Sequence, residues 1–249
     1  MQIITIPLLS DNYSYLLLEA GLALAIDPGD AAPVLAAVRK AGANLNAILL
    51  THRHNDHTAG CAELRAQTRC AIIGPAECAA CGLDRTIGEG DVVALAGLAV
   101  RALAVPGHTR GHVAYVCERG PAVWTGDTLF VGGCGRILEG SAAEMWHSLC
   151  RLRKLPPETQ VHSGHDYTRD NLEFAASVLP HNAAIQARLA EVQVQEAAGQ
   201  PTGSSSIAVE RETNIFLRAD SDEVRHAAGI RDPDPVAVFA ELRRRKDEW

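Results

Sequence analysis

Residues 51–57 read Thr-His-Arg-His-Asn-Asp-His, so three histidines and an aspartate occupy positions 52–57 directly after the apolar run Ala47-Ile48-Leu49-Leu50. A buried strand that ends in such a cluster must turn at once and hold several ligand-type side chains together. Neutral imidazole nitrogen and carboxylate oxygen are the donors that suit zinc and related divalent ions, and a cluster on one short turn needs little chain closure. Four donors this close do not converge easily on a single ion, so the spacing His52-x-His54-x-Asp56-His57 suggests two neighbouring metals.

Three later segments repeat the same grammar: Leu103-Ala-Val-Pro-Gly-His108, Ala122-Val-Trp-Thr-Gly-Asp127 and Gln160-Val-His-Ser-Gly-His165. Each is a short, largely apolar run that ends in Gly followed by a candidate ligand. A strand buried in a sheet reads as such a run, and Gly lets the backbone turn sharply at its carboxyl end. Four strand ends are therefore expected to converge on one edge.

A chain of 249 residues with 47% hydrophobic residues can bury a substantial core, filled mostly by Ala, Leu and Val because aromatics make up only 4%. The net charge of −7 argues against a general nucleic-acid surface. No apolar stretch reaches the ~18 residues of a membrane span, and no basic leader precedes Ile3-Ile4-Thr5-Ile6. Seven cysteines at irregular spacing read as free thiols of a reducing compartment, so the expectation is a soluble, cytoplasmic protein with no nucleic-acid or membrane partner. Cys78-Ala-Ala-Cys81 lacks a second pair for a four-thiolate site and reads as structural.

Strands are predicted over 2–8, 13–19, 22–27, 47–51, 70–74, 92–95, 98–105, 113–117, 121–125 and 160–163. Asp30 is expected to cap a helix that buries Val34, Leu35 and Val38 and closes at Gly42, and a further helix is expected over 58–67. Ser141-x-x-Glu144 is a capping box that opens a helix over 142–154 with Met145, Leu149 and Leu152 as its buried stripe. After 165 the signals are helical, over 168–178, 182–198, 221–228 and 235–246, with 199–206 a loop. A boundary is thus expected near His165, giving a mixed α/β catalytic domain at 1–165 and a helical domain at 166–249.

The motifs His52-x-His54-x-Asp56-His57, His108, Asp127 and His165 resemble those of the metallo-β-lactamase superfamily. Leu9-Ser-Asp-Asn-Tyr13, Gly126-Asp-Thr-Leu-Phe130, Gly133-Cys-Gly-Arg136, Gly164-His-Asp-Tyr167-Thr, Asn214-x-Phe216-x-Arg218 and Arg243-Arg-Arg-Lys246-Asp narrow the resemblance to its glyoxalase II family. The resemblance implies an α/β fold, an αββα sandwich of metallo-β-lactamase type with a small C-terminal helical domain. It implies that His52, His54 and His108 hold one divalent ion, that Asp56, His57 and His165 hold a second, and that Asp127 bridges them. Zinc is the first expectation, and iron or manganese suit the same donors. Asp56 and Asp127 would act catalytically through a hydroxide on the metals that attacks a thioester carbonyl, and the thiolate product needs no dedicated general acid.

The implied reaction is hydrolysis of S-D-lactoylglutathione to glutathione and D-lactate, a step of methylglyoxal detoxification, by a monomer. The resemblance places Arg136, Tyr167, Arg243 and Lys246 against the glutathione moiety, where Arg offers a planar fork for a carboxylate and Lys a mobile point charge. The chain departs from the family at Leu138, where a second Tyr is frequent, and at Arg136, where Lys is common. Taken without the resemblance, Arg243-Arg-Arg-Lys246 reads as a solvated helix end. Phe216 and Trp249 read as packing residues. His112, His147, His162, His181 and His226 match no ligand position, although His112 could support the ligands from behind. Two other readings stay open: a mononuclear-iron persulfide dioxygenase of the same superfamily, and a non-catalytic metal or thiol-redox protein.

Overall fold

The computed structural model describes residues 1–95 and 97–249, which divide into two compact units: Met1–Ala104 with Gly111–Gly126, and Val105–Arg110 with Asp127–Trp249.

The first unit opens with β1 (Gln2–Leu8), β2 (Asn12–Glu19) and β3 (Leu22–Ile26), followed by α1 (Ala31–Lys40) and β4 (Asn44–Leu49). Next come α2 (Asn55–Thr58), α3 (Cys61–Thr68), β5 (Ala71–Gly74), a 3₁₀ turn at Ala76–Cys81 and β6 (Arg85–Thr86). Strands β1 to β6 form one sheet in that order, antiparallel through β3 and parallel beyond it. The remaining strands, β7 (Val92–Leu95), β8 (Leu98–Ala104), β9 (Val113–Cys117) and β10 (Ala122–Gly126), pair antiparallel in the order β7-β8-β9-β10.

Alternation along the strands decides what each face of the first sheet meets. Leu16 and Ile48 point to a helical layer that contributes Val34, Leu35, Val38 and Leu64, whereas Leu17, Leu24 and Leu49 face Val100, Tyr115 and Trp124 of the second sheet. Asp30 caps α1 by accepting from Ala32 N at 3.0 Å, and Gly42 takes the left-handed conformation after the helix, as expected.

The helix expected over 58–67 is instead two. The chain is already helical at Asn55, so Asp56 and His57 lie in the first turn of α2, and α3 begins only at Cys61. Gly60 separates them because its N–H donates to Pro28 O at 2.9 Å, an approach in which a Cβ would meet that oxygen at 2.6 Å.

The second unit contains the short hairpin β11 (Leu129–Phe130) with β12 (Gly133–Cys134), then α4 (Ala142–Arg153) and β13 (Gln160–Ser163). After these come α5 (Thr168–Val178), α6 (Ala183–Ala197), β14 (Ser205–Ser206), α7 (Ile207–Thr213), α8 (Asp222–Ala227) and α9 (Pro235–Glu248), with a 3₁₀ turn at Ile215–Arg218. The Ser141–Glu144 capping box is formed, and Met145, Leu149 and Leu152 are buried. Residues 199–206 are not wholly loop, since Ser205 and Ser206 pair with β13, and α7 follows without having been anticipated. Its inner face carries a fully buried Glu210, which interrupts the apolar stripe that periodicity seeks. Within the second unit, residues 127–163 pack with the later helices: α4 meets α7 and α9.

Leu49→Ala is expected to lower the unfolding free energy by about 2–5 kcal/mol, since Leu49 is fully buried between the sheets of the first unit. Urea denaturation followed by circular dichroism measures it, and a loss below about 1 kcal/mol would contradict close packing there.

Candidate active site

In the first unit the end of β4 delivers Thr51, His52 and His54, and α2 delivers Asp56 and His57. Behind them stands Asp27, a residue the sequence reading did not select. It follows β3 with φ of 50° and is almost fully buried. Its Oδ1 accepts from Thr51 N at 2.8 Å, and its Oδ2 accepts from Thr51 Oγ1 at 2.6 Å. His57 Nδ1 lies 3.2 Å from the same Oδ2, and His52 Nδ1 lies 3.0 Å from Thr51 Oγ1.

These contacts assign tautomers. An ionised carboxylate only accepts, so His57 carries its proton on Nδ1. The Thr51 hydroxyl spends its proton on Asp27 and must accept from His52, which is therefore also protonated on Nδ1. Both rings are left with a lone pair on Nε2. The Nε2 of His52 then lies 3.0 Å from His54 Nδ1, and the Nε2 of His57 lies 3.4 Å from Asp56 Oδ2. Asn12 Nδ2 donates to that Oδ2 at 2.9 Å and holds the Asp56 carboxylate in place. His112 is buried and stacks on His52, with centroids 4.7 Å apart and planes at 17°.

The second unit repeats the arrangement around Asp127. His108 Nδ1 lies 2.9 Å from Arg136 O, a carbonyl that can only accept, so the His108 Nε2 lone pair faces Asp127 Oδ2 at 3.5 Å. His165 Nε2 approaches the same oxygen at 3.3 Å. Gly107, before His108, has φ of 149°, and a Cβ there would meet Met145 Cβ at 2.8 Å, so α4 packs directly on that turn.

With neutral imidazoles, acceptor thus faces acceptor at His57–Asp56 and at His108–Asp127, an arrangement that a cation between them makes favourable. Imidazole Nε2 and carboxylate oxygen, each oriented by a second hydrogen bond, are the donor set of a divalent metal, so the residues fit one.

The same unit contains a pocket of about 580 Å³. It is lined by His108 and Asp127 and also by Arg136, Tyr167, Arg243 and Lys246, so all four residues expected to meet a substrate share one cavity with two expected ligands. Tyr167 stacks on His165 with centroids 5.0 Å apart and planes at 7°. Arg136 is the open cation, 70% exposed and 3.7 Å from Asp247.

Arg243 and Lys246 are not a solvated helix end. Helical phase turns positions 243 and 246 inward and 244 outward. Arg243 is buried, donates through Nη1 to Cys134 O at 2.8 Å and through Nε to Asp247 at 3.0 Å, and lies over the Phe216 ring. Lys246 is paired with Asp170, and burial pushes its ammonium pKa down. Phe216 is a core residue as expected, but Trp249 is 60% exposed and lines the pocket. All seven cysteines are free; burial raises the Cys78 pKa well above the ordinary range and pushes Cys134 up to about 11. Among the described residues no helix is long and apolar enough to cross a membrane.

The chain is similar to known proteins along nearly its whole length. The family model of the metallo-β-lactamase superfamily matches residues 9–79 and 82–165, and that of the hydroxyacylglutathione hydrolase C-terminus matches 166–249. The hydroxyacylglutathione hydrolase of Rhodospirillum rubrum is 47% identical, over 98% of this chain and 97% of its own. That of Methylococcus capsulatus is 45% identical, over 99% and 98%. Among solved structures, ETHE1 from Myxococcus xanthus has a TM-score of 0.69 at 27% identity over 99% of this chain and 98% of its own. TTHA1623 in a di-iron-bound form has a TM-score of 0.62 at 28% identity, covering 87% and 100%. The fold is therefore the expected α/β one, of metallo-β-lactamase type with a C-terminal helical region, and the chain belongs to the hydroxyacylglutathione hydrolase (glyoxalase II) family of metal-dependent thioester hydrolases.

Proposed function

We propose that this protein hydrolyses S-D-lactoylglutathione to glutathione and D-lactate, using two divalent cations, and so serves methylglyoxal detoxification. The observation that carries this reading is the single pocket shared by His108, Asp127, Arg136, Tyr167, Arg243 and Lys246. It joins candidate metal ligands to cations and an aromatic ring suited to an anionic peptide thioester.

The ligands we assign are His52, His54 and His108 to one cation and Asp56, His57 and His165 to the other, with Asp127 between them. A carboxylate can serve two ions where a neutral imidazole serves one, and Asp127 is the group approached by two imidazole nitrogens. Zinc suits this nitrogen and oxygen set, as do iron and manganese, and the di-iron-bound form of TTHA1623 supports a dinuclear site. When bound, such cations supply Lewis-acid polarisation of a carbonyl and a water that ionises near neutral pH.

The chain's own residues do the rest. Asp27 and the Arg136 carbonyl fix the tautomers of His57 and His108, Thr51 fixes that of His52, and Asn12 orients Asp56. Tyr167, braced on His165, walls the pocket and helps to exclude water. The departing thiolate has a conjugate-acid pKa of about 8.5 and leaves without a protein acid. Arg136 presents the exposed guanidinium to a substrate carboxylate, while Arg243 and Lys246 supply positive potential from within ion pairs that the substrate would have to share.

We assign residues 1–165 to catalysis and 166–249 to substrate binding, in a cytoplasmic monomer without nucleic-acid or membrane partners. The free thiols support a reducing compartment. The mononuclear-iron dioxygenase reading is the weaker one, because Asp56, His57 and His165 offer donors for a second cation and the hydroxyacylglutathione hydrolase C-terminal model covers 166–249.

Purified protein is expected to hydrolyse S-D-lactoylglutathione, followed as loss of thioester absorbance, and to stop when a chelator is added. Oxygen uptake with a glutathione persulfide, in place of that hydrolysis, would overturn the assignment. Asp127→Ala is expected to lose metal, measured by elemental analysis, and at least 100-fold in kcat/KM; retention of two metals with full turnover would rule out the bridge. Lys246→Ala is expected to raise KM for the glutathione thioester with a smaller change in kcat, and an unchanged KM would exclude Lys246 from binding.

A further inference from the structure

Glu210 is a carboxyl group with no exposure, remote in sequence from every candidate ligand and unused by the proposed chemistry. Burial raises its pKa, and three donors surround it. Ser205 Oγ donates to Oε1 at 2.5 Å, while Gly132 N and Asn214 Nδ2 each donate to Oε2 at 2.9 Å. Asn214 Nδ2 also donates to Gly133 O at 2.9 Å. The turn between β11 and β12 is thereby held from both of its peptide edges by two side chains of α7 and its cap. Asn171 of α5 adds a bond to Val131 O at 3.1 Å, and Arg243 of α9 one to Cys134 O at 2.8 Å.

The segment so held runs on to Arg136. Its carbonyl accepts from His108 Nδ1 and thereby aims His108 Nε2 at Asp127. A buried ionisable group is costly, and here it satisfies a buried N–H that no strand ladder reaches. We infer that Glu210 and Asn214 are positioning residues for the metal centre: through the 130–136 segment they set the Arg136 carbonyl that orients His108. This assigns a task to Asn214 in the Asn214-x-Phe216-x-Arg218 motif.

The inference rests on the metal site proposed above and not on the identity of the thioester. The test withdraws zinc from the metal-loaded full-length protein with graded chelator, beside thermal melting of the same samples. Glu210→Met keeps the side-chain length but removes the acceptor of Gly132 N and one of those of Asn214, and is expected to lower the chelator concentration at half-removal about 10-fold or more for one zinc equivalent. Glu210→Gln can still accept from Gly132 and donate to Ser205 Oγ, and is expected to restore zinc retention.

A lower melting temperature with wild-type zinc retention in Glu210→Met would reduce Glu210 to a structural residue and overturn the inference. If Glu210→Met does not fold, Gly133→Ala displaces the same turn from outside, because its Cβ would fall 2.5 Å from Asn171 Cγ. Wild-type zinc retention in that folded variant is equally decisive against it. Zinc retention by a wild-type protein that leaves S-D-lactoylglutathione intact would sink the proposed activity and leave this test readable, whereas a wild-type protein that holds no zinc sinks the centre and the inference together.

Discussion

One carboxylate, Asp27, organises the first unit's share of the site. It takes the backbone N–H and the hydroxyl of Thr51 as well as the Nδ1 proton of His57, and through Thr51 it reaches His52. A buried carboxylate with this many donors has its hydrogen-bonding capacity satisfied away from water. Its consequence lies elsewhere: two imidazole rings are held with the Nε2 lone pair outward, the state in which they can bind a cation. These histidines follow a strand end and a helical turn, and Asp27 orients two of them through hydrogen bonds.

The second unit solves a different problem. Its pocket needs positive potential for an anionic substrate, yet a buried guanidinium or ammonium is stable only when paired. Arg243 and Lys246 are therefore committed to Asp247 and Asp170, to the Cys134 carbonyl and to aromatic faces, and of the three expected cations Arg136 is the well exposed one. The cations shape the wall and its field, and the exposed Arg136 reaches Asp247 at 3.7 Å. The helical region also braces the turn before Arg136, through Glu210 and Asn214.

Much of this was legible beforehand where a local rule carried it. The capping box at Ser141, the Asp30 cap and the alternating strands depend on neighbours in sequence, and they appear as read. The start of α2 at Asn55 was not legible, because a ligand cluster masks the helical pattern with polar residues. α7 escaped notice because its buried face carries Glu210 where an apolar residue is expected. Asp27 was overlooked although it ends an apolar strand before Pro-Gly, much as the ligands follow Gly; no histidine stood next to it to draw attention.

The sequence by itself determined the family, the alternating strands, the capped helices and the ligand-type residues, since these follow from side-chain identity and spacing along the chain. Only the tertiary structure decided the tautomers of His52, His57 and His108, the inward turn of Arg243 and Lys246, and the partners of Glu210. Each of these depends on an acceptor or donor tens of residues away, which spacing does not encode and which burial makes obligatory.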